Sequence, residues 1–161
     1  MRFSILQSLL LACWIPGICM GQELAPDFSA PEIGGNKTFQ LSAYRGKIIL
    51  LDFWASWCPP CLVSLPAYDK MYQELDNEEF EILAVNVDEN TEDGIEFLED
   101  HPISYVSLAD PNGEIGIPYG IRSLPVSYLI DREGRIIERY RDFKIGDEIA
   151  LKLKIEELLD R

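Results

Sequence analysis

The sequence predicts an α/β domain built on a central mixed β-sheet, and three observations carry that prediction. The apolar runs Ile48–Phe53, Phe80–Val87 and Ile103–Leu108 have the length of buried strands, and stretches of helical periodicity separate them. The last two strands, Val126–Ile130 and Arg135–Arg141, flank the turn Asp131-Arg132-Glu133-Gly134, which makes them an antiparallel hairpin. A Cys-x-x-Cys pair, Cys58 and Cys61, stands where the first apolar run gives way to a helix. Parallel pairing comes first along the chain and antiparallel pairing last, so the sheet is mixed.

Taken in order, Phe28-Ser29-Ala30-Pro31 and Thr38-Phe39-Gln40-Leu41 alternate around Gly34-Gly35-Asn36 and read as an N-terminal β-hairpin. Lys47 to Ala55 is the central strand. Leu62, Leu65, Tyr68, Met71, Tyr72 and Leu75 then recur at helical spacing, with Pro66 inside the helix, where it deletes one backbone hydrogen bond. The strand Phe80–Val87 leads to a helix over Thr91–Leu98, with Thr91 as a plausible N-cap. Asp110-Pro111-Asn112-Gly113 is a turn, and Ile115–Ile121 is expected to hold a short, irregular helix. Ile149, Leu151, Leu153, Ile155, Leu158 and Leu159 mark a C-terminal amphipathic helix.

A chain of 161 residues with 47% hydrophobic content is one ordinary domain plus a leader, long enough to bury a core without disulfide staples. The leader is read from residues 1–21: Met1-Arg2, an apolar stretch from Phe3 to Ile18, then Gly17 and Gly21 before Gln22-Glu23. Cleavage after Gly21 is expected, leaving a domain over residues 22–161. Leu10-Leu11-Ala12-Cys13 resembles a lipobox and gives the alternative of a lipid-bearing Cys13. Cleavage after Gly21 also removes Cys19, so Cys58 and Cys61 become the only cysteines. The net charge is −14 and the leader carries only Arg2, so the rest is more acidic still. No basic patch is available for nucleic acid.

Three chemistries compete for Cys58 and Cys61. A structural zinc site needs four ligands, and beyond this pair the chain offers one histidine, His101. A structural disulfide is the second reading, but a bridge between residues three apart closes a loop too small to stabilise much. The third is redox catalysis: the positive end of a helix favours a thiolate at Cys58, and the thiolate is the species that attacks disulfides. Redox catalysis is favoured, with the inert bridge as its alternative. Asp52 stands out in the same segment as a carboxylate within an apolar run.

Leu51-Asp52-Phe53-Trp54-Ala55-Ser56-Trp57-Cys58-Pro59-Pro60-Cys61 resembles the active-site segment of the thioredoxin superfamily, and Tyr119-Gly120-Ile121-Arg122-Ser123-Leu124-Pro125 is similar to its cis-proline loop. The hairpin before the central strand, and the added helix and strand from Glu92 to Leu108, resemble the exported, TlpA-like (ResA-type) thiol:disulfide oxidoreductases. The resemblance implies a thioredoxin-like fold, with helices flanking the mixed sheet and a TlpA-type insertion. It implies Cys58 as nucleophile, Cys61 as the more buried resolving thiol and Asp52 as its proton acceptor. Trp57, Leu124 and a cis Pro125 would receive the substrate, and Pro59 and Pro60 would tune the redox potential. Three positions depart from one family pattern or the other. Ser64 replaces the glutamate of many TlpA-like proteins, Asp52 stands where many of them carry asparagine, and Ala84 replaces the lysine beside thioredoxin's buried acid.

The function this implies is reduction of protein disulfides outside the cytoplasm, in the bacterial periplasm or cell envelope, with a role in cytochrome c maturation or envelope redox homeostasis. The redox-active disulfide Cys58–Cys61 would serve in place of any cofactor or metal. The expected partners are disulfide-bearing proteins and an upstream membrane electron donor, and the expected state is a monomer. A peroxiredoxin-like peroxidase is the runner-up, since the hairpin and strand at the start are shared with peroxiredoxins; Ser56 lies two residues before Cys58, but the Trp-Cys-Pro-Pro-Cys context is wrong for a peroxidatic cysteine. A metal- or client-binding module on the same fold is the third.

Overall fold

A computed structural model describes residues 23–161. The leader read over residues 1–21, with Cys13 and Cys19, lies outside the described residues.

A two-stranded hairpin opens the fold, β1 (Ser29–Pro31) against β2 (Thr38–Gln40). A short 3-10 turn over Leu41–Tyr44 leads to β3 (Ile48–Trp54). Then follow α1 (Cys61–Leu75), β4 (Phe80–Asn86), α2 (Thr91–Asp100), β5 (Val106–Ala109), β6 (Val126–Ile130), β7 (Ile136–Arg141) and α3 (Asp147–Leu159). The main sheet runs in the order β5-β4-β3-β6-β7. β3 pairs parallel with β4, and β4 with β5; β6 pairs antiparallel with both β3 and β7. This is the mixed sheet the sequence predicts.

All seven residues of β3 are buried, as a central strand covered on both faces requires. Alternation sorts them into two layers. Ile48, Leu50 and Trp54 join Cys58, Cys61, Leu65, Tyr68 and Met71 of the α1 side, together with Leu151, Ile155 and Leu158 of α3. Ile49, Leu51 and Phe53 face the opposite layer, closed by Ala30, Leu41, Ile115 and Tyr119. Asp52 takes its place in the first series, on the face that meets the cysteine turn, α1 and α3.

Four local expectations are corrected. Residues 115–121 form consecutive turns rather than a helix. The Asp110 carboxylate accepts from Ile115 N and Gly116 N at 2.8–3.1 Å, and Pro118 interrupts any ladder. The strand expected from Ile103 begins at Val106, because the Asp69 carboxylate takes both Ser104 N and Ser104 Oγ at 2.6 Å and draws that segment off the sheet. Thr91 is the first residue of α2 rather than its cap. Asn90 precedes it, and its side chain donates to Asp93 (2.8 Å). On α3, Leu151, Ile155 and Leu158 are buried, whereas Ile149 and Leu153 face outward, each 62% exposed. No helix of the described residues is long and apolar enough to cross a membrane.

Candidate active site

The chain leaves the sheet at Trp54 and turns through Ser56-Trp57 before Cys58. Cys58 and Cys61 are joined by a disulfide, their Cα atoms 5.3 Å apart. Cys58 is 3% exposed and Cys61 fully buried. α1 begins at Cys61, so the expectation of a helix starting near Cys58 is corrected by three residues. Pro59 and Pro60 have no N–H to donate. Cys61 N, Leu62 N and Val63 N instead reach back three residues, to Cys58 O, Pro59 O and Pro60 O at 2.9–3.2 Å. Cys58 N is itself taken by Ala55 O (3.2 Å). The positive end of a 15-residue helix still lies next to the disulfide, but the first turn offers it no idle N–H groups.

A carboxylate that sequence reasoning missed fixes this turn. Asp88, just past the end of β4, is buried and accepts from Ser56 N (3.0 and 3.2 Å), Ser56 Oγ (3.0 Å) and Asn86 Nδ2 (2.6 Å). Ser56 Oγ is therefore committed to Asp88, which leaves the peroxidase reading without its key hydroxyl. Asn86 in turn lies against Gly94 of α2, where an added Cβ would stand 2.8 Å from the amide atoms. The inserted helix thus presses on the residue that helps hold Asp88, and Asp88 holds the Cys58 turn.

Asp52 is fully buried. Its Oδ1 accepts from Ser127 Oγ (2.7 Å) on the neighbouring strand β6, and Oδ2 has no hydrogen-bond partner among the described residues. Ser127 Oγ lies 3.2 Å from Tyr68 Oη on α1. The register partner of Asp52 on β4 is Ala84, so no lysine stands beside the acid there. Burial pushes the Asp52 carboxyl up to about 7, and the Ser127 hydrogen bond opposes part of that rise. Burial and the Asp52 charge raise the Tyr68 and Tyr105 hydroxyls, which stay protonated.

Opposite the cysteine turn, the Leu124–Pro125 peptide bond is cis, with Pro125 buried and Leu124 half-buried. Tyr128 Oη donates to Tyr119 O (2.5 Å) and Arg139 Nη2 to Gly120 O (3.3 Å), which anchors the loop leading to this bond. The two tryptophans divide as their environments dictate. Trp57 is 66% exposed, whereas Trp54 is buried and donates to Ser107 Oγ (3.1 Å). Ser64 is buried and its hydroxyl has no hydrogen-bond partner among the described residues. His101 is exposed and stacks on Phe97 at 4.6 Å. Among the described residues no cluster of three or more His, Cys, Asp or Glu side chains could hold a metal.

A mixed sheet with a Cys-x-x-Cys disulfide beyond its central strand, a buried acid beneath and a cis proline in the facing loop defines a thioredoxin-fold dithiol protein. The chain belongs to the AhpC/TSA family, whose sequence profile matches residues 21–139. It is similar to the thiol-disulfide oxidoreductase ResA of Bacillus cereus (strain ATCC 10987 / NRS 248), with 30% identity over 135 residues, 84% of this chain and 77% of that protein. The thioredoxin-like protein YneN of Bacillus subtilis (strain 168) is 34% identical over 147 residues, 89% and 81% of the two chains. Among solved structures, a putative thiol:disulfide interchange protein DsbE from Chlorobium tepidum superposes with a TM-score of 0.80 at 36% identity, covering 86% of this chain and 96% of that one.

Proposed function

We propose that the protein is an exported thiol:disulfide oxidoreductase that reduces protein disulfides. The observation that carries this reading is the Cys58–Cys61 disulfide between an exposed Trp57 and a buried Asp52 whose carboxyl is lifted to about 7. The names of the relatives agree with the chemistry.

In the reduced protein the Cys58 thiolate attacks a substrate disulfide, forms a mixed disulfide and releases one substrate thiolate. Asp52 takes the proton of Cys61. The Cys61 thiolate then attacks Cys58 Sγ, expels the second substrate thiolate and regenerates the intramolecular disulfide. Two electrons pass to the substrate, and a dithiol donor must restore them. An acid poised near 7 suits this transfer, being ionised often enough to accept and basic enough to pull. Trp57, Leu124 and Pro125 form the face that receives an extended substrate segment, and Pro59 and Pro60 set the potential by shaping the first turn. The reading includes cleavage of residues 1–21, function in the bacterial periplasm or envelope, a membrane electron donor and service to cytochrome c maturation or envelope redox homeostasis. Insulin reduction run beside peroxide consumption tests it: catalysed insulin precipitation without peroxide turnover is expected, and the reverse would establish a peroxidase.

A further inference from the structure

We propose that Ser127 and Tyr68 are positioning residues for the proton acceptor: a one-way chain of hydroxyls fixes Oδ1 of Asp52 and reserves Oδ2 for the proton exchanged with Cys61. The inference rests on the role given to Asp52 above.

The polarity of the chain follows from donor counting. An ionised carboxylate only accepts, so Ser127 Oγ must donate across the 2.7 Å contact. With its single hydrogen spent, Ser127 can only accept across the 3.2 Å contact to Tyr68 Oη, and Tyr68 is the donor there. All three side chains are buried, so solvent offers little competition. A proton arriving on Oδ2 leaves every bond in place, because Oδ1 remains a carbonyl-type acceptor. A proton on Oδ1 would leave Ser127 accepting from both sides with its own hydrogen unpaired, or would require both hydroxyls to reverse so that Tyr68 accepts and its hydrogen loses its partner. The network therefore directs protonation to Oδ2, the carboxylate oxygen without a partner. It also needs no rearrangement as the acid cycles, which is the condition for preorganised charge stabilisation.

Among the described residues no other side chain hydrogen-bonds to Asp52. β4 offers Ala84, and α3 brings Leu151 and Ile155. α1 presents Cys61 and Tyr68. Tyr105 donates to Leu65 O (3.2 Å) and is already engaged. Asp147 at the start of α3 and Tyr140 on β7 act on the Tyr68 hydroxyl. The hydroxyl chain is not legible in the sequence, because its members lie 59 and 75 residues apart.

The test is the titration of the Asp52 carboxyl, followed by carbon-13 NMR in the full oxidised protein and compared with the pH profile of insulin reduction. Ser127→Ala removes a hydrogen bond to the charged form and should raise the midpoint by about one pH unit. At pH 7 that leaves about fivefold less carboxylate. Ser127→Thr should restore the midpoint, and Tyr68→Phe should move it in the same direction by less. The activity profile should follow each shift, and on an Asp52→Asn background the Ser127 substitutions should not move it. An unmoved midpoint in Ser127→Ala, or failure of Ser127→Thr to restore it, overturns the proposal. If Ser127→Ala does not fold, an unmoved midpoint in Tyr68→Phe overturns it instead. Wild-type protein inactive towards disulfides would overturn the catalytic role of Asp52, whatever the titration shows.

Discussion

At the scale of single residues, Asp52 is a fully buried carboxyl in the core. Its ordinary carboxyl value is 3.8, and in the fold it rises to about 7, so the folded state binds the proton more tightly than the unfolded chain. The sign follows: the stability contributed by Asp52 is greatest below about 4, declines as pH rises through the interval from 3.8 to about 7, and is flat above it. At 1.36 kcal/mol per pH unit the decline amounts to at most about 4 kcal/mol. Asp52→Asn should abolish this slope, and urea unfolding of the oxidised protein at pH 4, 5.5, 7 and 8 measures it. An unchanged slope would mean the acid is not the group that titrates. In catalysis the same substitution should slow disulfide reduction most near neutral pH and least at high pH, where Cys61 ionises unaided. Positioned acid–base groups contribute about a hundredfold or more, and a thiol needs less help, so a loss at or below that end is expected. Cys58→Ser should abolish turnover, whereas Cys61→Ser should trap a mixed disulfide with substrate, visible by non-reducing electrophoresis. Trapping by Cys58→Ser alone would invert the assigned roles. The cysteines, Asp52 and Pro125 could be read from the chain because each sits in a contiguous motif. Ser127, Tyr68 and Asp88 could not, since each matters only through a partner brought near by the sheet.

At the scale of elements, apolar runs predicted the strands well, because a strand buried on both faces is mostly apolar and admits a polar residue only where it finds a hydrogen-bond partner, as Asp52, Asn86, Ser107 and Ser127 do. Two misreadings fell where a buried or half-buried carboxylate captured backbone donors. Asp110 pins residues 115–116 into turns and Asp69 detaches Ser104 from β5. Such side-chain capture competes with ladders and leaves no periodic trace. The start of α1 was misplaced because helix propensity says nothing of two successive missing donors at Pro59 and Pro60. The contact between α2 and β4 makes its own prediction. Gly94→Ala adds helix propensity worth about 1 kcal/mol. It also drives a Cβ to 2.8 Å from the Asn86 amide. Overpacking of this kind costs about 1–3 kcal/mol. A lowered Tm with slower insulin reduction is therefore expected, as Asn86 and Asp88 loosen the Ser56 turn. A raised Tm with unchanged rate would show that the clamp is slack.

At the scale of the whole molecule, the sheet order puts Asp52 on the central strand between the two elements it needs. β6 supplies Ser127 on one side, and α1 above carries Cys61 and Tyr68. Both the fold and the active-site segment were legible from sequence because the motif and the alternation of β3 agree on which face meets the helices. Export belongs to this scale too, and intact-mass measurement of protein recovered from the cell envelope should give a chain beginning at Gln22. A lipid-modified Cys13 at the N-terminus would contradict that. Direction of electron flow is a property of the assembled site, since dithiols on thioredoxin folds span about −270 mV to about −120 mV. The most direct measurement is the reduction potential of the Cys58–Cys61 pair, equilibrated against a thiol–disulfide buffer of known poise. A value near −270 mV is the result a reductase requires, and a value near −120 mV would make the protein an oxidant and contradict the account.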